Sequence, residues 1–231
     1  MGLNLKHDIR INLKHEKEVF RFIRLLIFTF IFSAVFLGIP DYIWNMILWR
    51  ISVLLCPWLV AVPAVINLKT RGVKLRTLLG ERILWQFAVG CAVGTMLAAV
   101  WLLFNYFVLQ REAGMFYFKN VWEMLYVFIQ YMCVVGPSEE LIYRFAIMGS
   151  MEELCEKCRW LAPLVANLLF ALSHIFQTNW FNVLFAFVFG GVYTLFTYRW
   201  KKCGLVMASA MHGMFDFMIV LIPYLMLASH L

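Results

Sequence analysis

The stretch 83–109 reads ILWQFAVGCAVGTMLAAVWLLFNYFVL, which is 27 residues without a charged side chain. A helix crosses a bilayer with about 20 mainly apolar residues. The whole chain has the same character, since 64% of its 231 residues are hydrophobic and 14% are charged, with a mean hydropathy of +0.81. The short alternating segments of a membrane barrel are absent from the sequence. We therefore expect one all-α polytopic membrane domain over residues 1–231.

Apolar runs of comparable length recur along the chain. The fourth of them is too long for a simple crossing and has Gly136 and Pro137 at its middle, where proline tends to kink or break a helix. This run therefore forms one or two helices, and the sequence predicts seven to eight transmembrane helices in all. The predicted spans are roughly 19–39, 43–67, 83–109, 119–151, 160–178, 180–199 and 203–229.

The basic residues fall into clusters that predict the orientation in the membrane. Lys and Arg are concentrated in 6–24, 69–82, 157–159 and 199–202, whereas the alternate loops carry few. Basic clusters beside spans favour the cytoplasmic side. We therefore expect a cytoplasmic N-terminus, with residues 1–18 as a basic segment beside the bilayer. The net charge of +7 reflects this topology and contact with anionic lipid, so we expect no nucleic-acid partner.

Six ionisable residues lie inside stretches that are otherwise apolar. Such groups are costly in hydrocarbon and usually face a bundle interior or a wet cavity. A rise of about 1.5 Å per residue puts four of them roughly 15 to 21 Å from the inner ends of their helices. These four are Glu139, His174, His212 and Asp216. We therefore expect the six residues to converge on one intramembrane cavity. They are Glu139, Glu140, Arg144, His174, His212 and Asp216.

The spacing within these sets predicts different roles. Glu140 and Arg144 are four apart with the acid first, the favourable order for an ion pair on one helical face. Glu139 lies about 100° away around the helix, so it is free to act as a general base. His212 and Asp216 are again four apart and face the same way.

These residues resemble the motifs of the CPBP family of intramembrane proteases, which includes the CAAX prenyl endopeptidases and many bacterial relatives. The first motif appears as EELIYR over 139–144, and the second, Phe-x-x-x-His, runs from Phe170 to His174. The third, His-x-x-x-Asn or Asp, runs from His212 to Asp216. The resemblance implies a CPBP-like catalytic core over 119–231.

The resemblance also implies a division of roles. Glu139 would activate a water that His174 helps to hold, and His212 with Asp216 would stabilise the oxyanion. Glu140 and Arg144 would be structural. The best-studied prenyl proteases have asparagine where this chain has Asp216, and the charge of an ionised aspartate would repel an oxyanion. Asp216 would have to be protonated or instead accept a hydrogen bond from His212.

Two further residues are predicted to lie at the cleft. Phe170 belongs to the second motif and is expected to pack there or to line the cavity. Asn167 lies seven residues before His174, about two turns away on the same helical face. We therefore expect its side chain near the cleft.

The function predicted from these residues is endopeptidase cleavage of a membrane-associated peptide or protein by glutamate-activated water, without a cofactor. The small size and short loops resemble bacterial relatives, which implies a bacterial cytoplasmic membrane. No feature of the sequence predicts an oligomeric state.

Three alternatives stay open at this point. Zinc could be held by Glu139, His174 and His212, although the helical His-Glu-x-x-His signature is missing. A non-catalytic membrane scaffold, regulator or immunity protein of the same family would need the fold without cleavage. A proton-coupled transporter would use the buried acids and histidines, but the internal repeats typical of transporters are not evident.

Overall fold

The computed structural model describes residues 2–36, 45–109, 118–176, 180–200 and 202–228. All regular structure in these ranges is helical, which confirms the all-α prediction. The α-helices are α1 (Gly2–Phe36), α2 (Met46–Val60), α3 (Val62–Thr70), α4 (Leu75–Leu78), α5 (Ile83–Phe104), α6 (Val121–Ile129), α7 (Gly136–Glu140), α8 (Met148–Leu154), α9 (Leu161–Ser173), α10 (Trp180–Arg199) and α11 (Leu205–Ala228).

Five helical stretches within the described residues are long and apolar enough to cross a membrane, which confirms a polytopic membrane protein. They match the first, second, third, sixth and seventh predicted spans. Their outer surfaces expose large apolar side chains such as Leu84 and Phe107, as expected for contact with lipid. The stretches are His15–Phe36, Met46–Thr70, Ile83–Val108, Trp180–Arg199 and Leu205–Leu227.

The fourth predicted span is one continuous helical path rather than two helices. Between α6 and α7 the chain forms a π-helical segment, Gln130–Val135, and a second one, Leu141–Ile147, joins α7 to α8. Pro137 lies in the first turn of α7, directly after the π-helical segment, and the helical path continues through it. The proline therefore does not separate the two halves, and the alternative of two helices was wrong.

The fifth predicted span is shorter than expected. Helix α9 ends at Ser173, and His174–Phe176 form a 3₁₀ turn. Its 13 residues rise about 20 Å, which is less than the thickness of a bilayer core. His174 therefore lies at a helix end rather than in a helix interior.

Close helix contacts bring the motif residues together. Helix α11 packs against the π-helical segment and α7 at positions occupied by glycine. A Cβ atom added at Gly136 would lie 2.7 Å from the Ser209 carbonyl oxygen, and one at Gly213 would lie 2.5 Å from that of Tyr131. Small residues allow such approach between membrane helices. The glutamates that follow Gly136 are thereby placed beside His212.

Three of the basic clusters lie at one end of the molecule. Arg71 after α3 makes a two-pronged ion pair with Glu153 at the end of α8, with N–O distances of 3.0 and 2.8 Å. Before α11, the Gly204 backbone N–H donates to Gln86 at 2.9 Å. The loops around 69–82, 153–159 and 202–204 therefore meet, as the charge pattern requires. That this end faces the cytoplasm stays a prediction.

Candidate active site

A cavity of about 600 Å³ lies between the helices. Four predicted catalytic residues line it, and they come from α7, the turn after α9, and α11. The expectation that the buried ionisable groups converge is therefore confirmed, while the roles of the residues stay predictions. The four are Glu139, His174, His212 and Asp216.

Glu139 presents its carboxylate to the cavity. Its side chain is 26% accessible, and Oε2 lies 3.7 Å from Nε2 of His212. Oε2 has no hydrogen-bond partner among the described residues. Glu140, the next residue, has a side chain with no accessible surface. The 100° offset between neighbours on a helix therefore separates the two acids as predicted.

The His212 ring lies between the carboxylates of Glu140 and Asp216. Its Nδ1 lies 2.8 Å from Oε1 of Glu140, while Nε2 lies 3.4 Å from Oδ2 of Asp216. Because an ionised carboxylate only accepts hydrogen bonds, Nδ1 carries a proton and donates a hydrogen bond to Glu140. The ring therefore directs Nε2 toward Asp216 and Glu139. The contact of Asp216 with Nε2 is compatible with the alternative in which Asp216 accepts a hydrogen bond from His212, and that role stays a prediction.

Behind the cavity, Arg144 closes a buried polar cluster. Its Nη1 lies 3.4 Å from Oε1 of Glu140, which confirms the predicted ion pair. Its other nitrogens donate to the Thr194 hydroxyl at 3.2 Å and to the Gly190 carbonyl at 3.1 Å. The guanidinium also lies 4.1 Å from the centre of the Phe170 ring, a cation–π contact. These contacts compensate part of the cost of burying two charges.

Phe170 and His174 form one wall of the cavity. Phe170 lines it, as predicted, and its ring meets the His212 ring edge-on with the centres 5.8 Å apart. His174 Nδ1 lies 3.0 Å from the Phe170 carbonyl oxygen. Since a carbonyl only accepts, Nδ1 carries the proton in this contact. A neutral His174 then keeps Nε2 as an acceptor, which suits a residue that holds water.

Asn167 is not among the residues that line the cavity, but it packs against Gly190, which does. Its side chain is buried and donates to the Phe187 carbonyl at 2.9 Å, tying α9 to α10. The prediction assumed one helical face through His174, but α9 ends at Ser173. The face that carries Asn167 packs against Gly190 and Gly191.

No group of three or more His, Cys, Asp or Glu side chains in the described ranges is placed to hold a metal ion. The three zinc ligands considered from sequence, Glu139, His174 and His212, share the cavity without forming such a group.

Sequence reasoning missed several residues of the site. Tyr193 stacks on His212 with ring centres 5.1 Å apart and planes 28° from parallel. Thr194 and Gly190 supply acceptors to Arg144. All three lie on α10, which carries none of the three motifs. The Gly190-Gly191 pair was the one available signal, since it marked a close helix contact.

Fold and site together define an integral membrane protein with a buried carboxylate–histidine centre, an arrangement able to activate water. Residues 120–218 match the model of the family described as type II CAAX prenyl endopeptidase Rce1-like. Residues 120–218 thus form an Rce1-like domain, which is of the CPBP family. All six ionisable residues of the three motifs lie within the match. No significant match is found among the curated proteins or the solved structures.

Proposed function

We propose that this protein is an intramembrane endopeptidase that cleaves a membrane-associated peptide or protein with a water activated by Glu139. The family of its Rce1-like domain is one of CAAX-type proteases. One observation carries the mechanism: Glu139 and His212 face each other at 3.7 Å in a cavity that also contains His174 and Asp216.

In the proposed reaction, a water lies between Glu139 and His174. Glu139 takes one proton as the water oxygen bonds to the scissile carbonyl carbon, and the carbonyl π electrons move to its oxygen. The tetrahedral oxyanion then collapses and the carbon–nitrogen bond breaks. The proton held by Glu139 passes to the leaving nitrogen, which gives a carboxylic acid and an amine. No acyl-enzyme forms.

His212 is the proposed donor to the oxyanion through Nε2. Because Nδ1 already donates to Glu140, donation from Nε2 requires an imidazolium. Three carboxylates face this ring, those of Glu139, Glu140 and Asp216, and they stabilise its positive charge. Asp216 acts here as a counter-ion of His212, which reduces the repulsion between its own charge and the oxyanion.

The proposed substrate is a peptide with an apolar segment in the bilayer and a scissile bond that reaches the cavity. The family description names prenyl endopeptidases, so a prenylated C-terminal peptide belongs to this class, as do bacterial peptide precursors. The proposed setting is a bacterial cytoplasmic membrane with the N-terminus inside. Catalysis is proposed to need no cofactor.

Cleavage of a membrane-peptide library by the detergent-purified protein tests the proposal. Glu139→Gln keeps the shape of the side chain and removes the base, so cleavage should fall about 10³-fold, within the range for loss of a general base. Glu156→Gln, at an exposed glutamate outside the cavity, is the matched control and should cleave normally. A strong chelator should have no effect.

Loss of cleavage on chelation would establish the zinc alternative and contradict the cofactor-free mechanism. Absence of cleavage by the wild type across the library would contradict the endopeptidase and favour a scaffold, regulator or immunity protein.

A further inference from the structure

Tyr193 lies inside the candidate site although it belongs to none of the motifs. Its side chain is 2% exposed, and its ring lies against the face of His212. It lines the same cavity as Glu139 and Asp216. Tyr193 therefore forms part of the cavity wall, with its hydroxyl buried.

The Tyr193 hydroxyl is buried and has no hydrogen-bond partner among the described residues. Buried tyrosine hydroxyls are normally paired, and leaving one unpaired costs free energy. Its neighbour Thr194 shows the usual arrangement, because its hydroxyl donates to the Gly190 carbonyl and accepts from Arg144. The exception at Tyr193 therefore calls for a partner that arrives from the cavity.

Two cavity-lining residues in the described ranges have buried side-chain polar atoms without a hydrogen-bond partner. They are Glu139, through Oε2, and Tyr193, through its hydroxyl. The carboxylate can accept a proton, and the hydroxyl can donate a hydrogen bond. By contrast, the hydroxyls of Ser138 and Ser173 in the cavity wall donate to backbone carbonyls. Amide hydrolysis by water is assisted by an acceptor for the proton of the water and by donors to the oxyanion.

We propose that the Tyr193 hydroxyl donates a hydrogen bond to the scissile carbonyl oxygen of the substrate and strengthens that bond as the oxyanion forms. Tyr193 is then a catalytic residue that acts beside His212, and the inference rests on the proposed endopeptidase function. This role of Tyr193 also explains how the site can supply a neutral donor to the oxyanion although position 216 is an aspartate. An ionised aspartate offers no donor, and the phenol supplies a neutral one.

Tyr193→Phe tests this role in the full-length protein, with a peptide that the wild type cleaves as the probe. We expect kcat to fall about 10²-fold, the lower end of the effect of removing one oxyanion donor, with KM changed less than about threefold because a transition-state contact is lost. Phenylalanine keeps the stacking and removes an unpaired hydroxyl, so Tm should stay equal or rise.

Tyr198→Phe is the matched control, because Tyr198 lies on the same helix but does not line the cavity. It should leave kcat unchanged. A Tyr193→Phe enzyme with kcat within about twofold of the wild type would overturn the inference alone, as would a loss of kcat that follows a fall in Tm. If Glu139→Gln cleaves like the wild type, the proposed function fails and this inference fails with it.

Discussion

Glu139 and Glu140 are consecutive residues of one helix, yet they lie in opposite surroundings. Glu140 is fully enclosed and contacts Arg144 and His212. Glu139 opens onto the cavity, and its Oε2 has no hydrogen-bond partner among the described residues. A rotation of about 100° per residue is enough to make this difference. The enclosed side of the helix therefore fixes the geometry of the site, and the side that faces the cavity is available for catalysis.

The two regions are coupled through His212. One ring nitrogen bonds to the enclosed Glu140, and the other faces the open Glu139 and Asp216. A change on the enclosed side should therefore lower both stability and activity, whereas a change on the open side should lower activity alone.

The largest effect on stability is expected from Arg144→Met. The substitution leaves Glu140 charged and buried without its counter-ion, a situation that costs about 3 kcal/mol or more. Thermal unfolding in detergent should show a large fall in Tm. The double variant with Glu140→Met should recover part of the loss, because it removes the remaining charge as well. An unchanged Tm in Arg144→Met would show that the enclosed cluster does not hold the fold together.

On the open side, His174→Ala should lower cleavage about 10²-fold with little change in Tm. The imidazole is proposed to hold the water, and the loss of such a positioned group typically costs this much. His15→Ala, at an exposed histidine on α1, is the control. Full activity in His174→Ala would remove this residue from the mechanism.

The boundary between the two regions is tested at Gly190. A Cβ atom there would lie 2.5 Å from the Phe170 ring and 2.8 Å from Asn167 Oδ1, whereas one at Gly191 would have 3.3 Å to its nearest neighbour. Gly190→Ala should therefore cost about 1–3 kcal/mol and lower activity through Phe170 and Arg144. Gly191→Ala should have a clearly smaller effect. Equal Tm values for the two variants would contradict the tight contact.

The smallest effect is expected at Glu153, which lies at the end of the same helical path, away from Glu139 and Glu140. Glu153 is 47% accessible in its ion pair with Arg71, and exposed pairs contribute at most about 1 kcal/mol. Glu153→Gln should change Tm by a few degrees or less and leave cleavage unchanged. A loss of activity here would mean that the site depends on the basic end of the molecule.

Local patterns in the sequence predicted much of this arrangement. Apolar run length predicted the helices, the four-residue spacing predicted the Glu140–Arg144 pair, and the offset of Glu139 predicted its separate environment. The depth count predicted that His174 and His212 would meet the glutamates. Each of these follows from helix geometry alone.

Contacts between distant segments were not predictable in the same way. Glu140 and His212 are 72 residues apart, and no periodicity links them. Tyr193 looks like any aromatic residue of an apolar helix until its ring is seen against His212. The packing of Asn167 against Gly190 and Gly191 likewise joins two helices whose contact hydropathy does not reveal.

Glu139 is proposed to serve catalysis and Glu140 to hold the structure. Measuring peptide cleavage and Tm side by side for Glu139→Gln and Glu140→Gln tests this division. We predict that Glu139→Gln keeps the wild-type Tm and loses cleavage about 10³-fold, while Glu140→Gln lowers Tm because Arg144 is left buried without a counter-ion. Equal losses of stability and activity in the two variants, or normal cleavage by Glu139→Gln, would contradict the account.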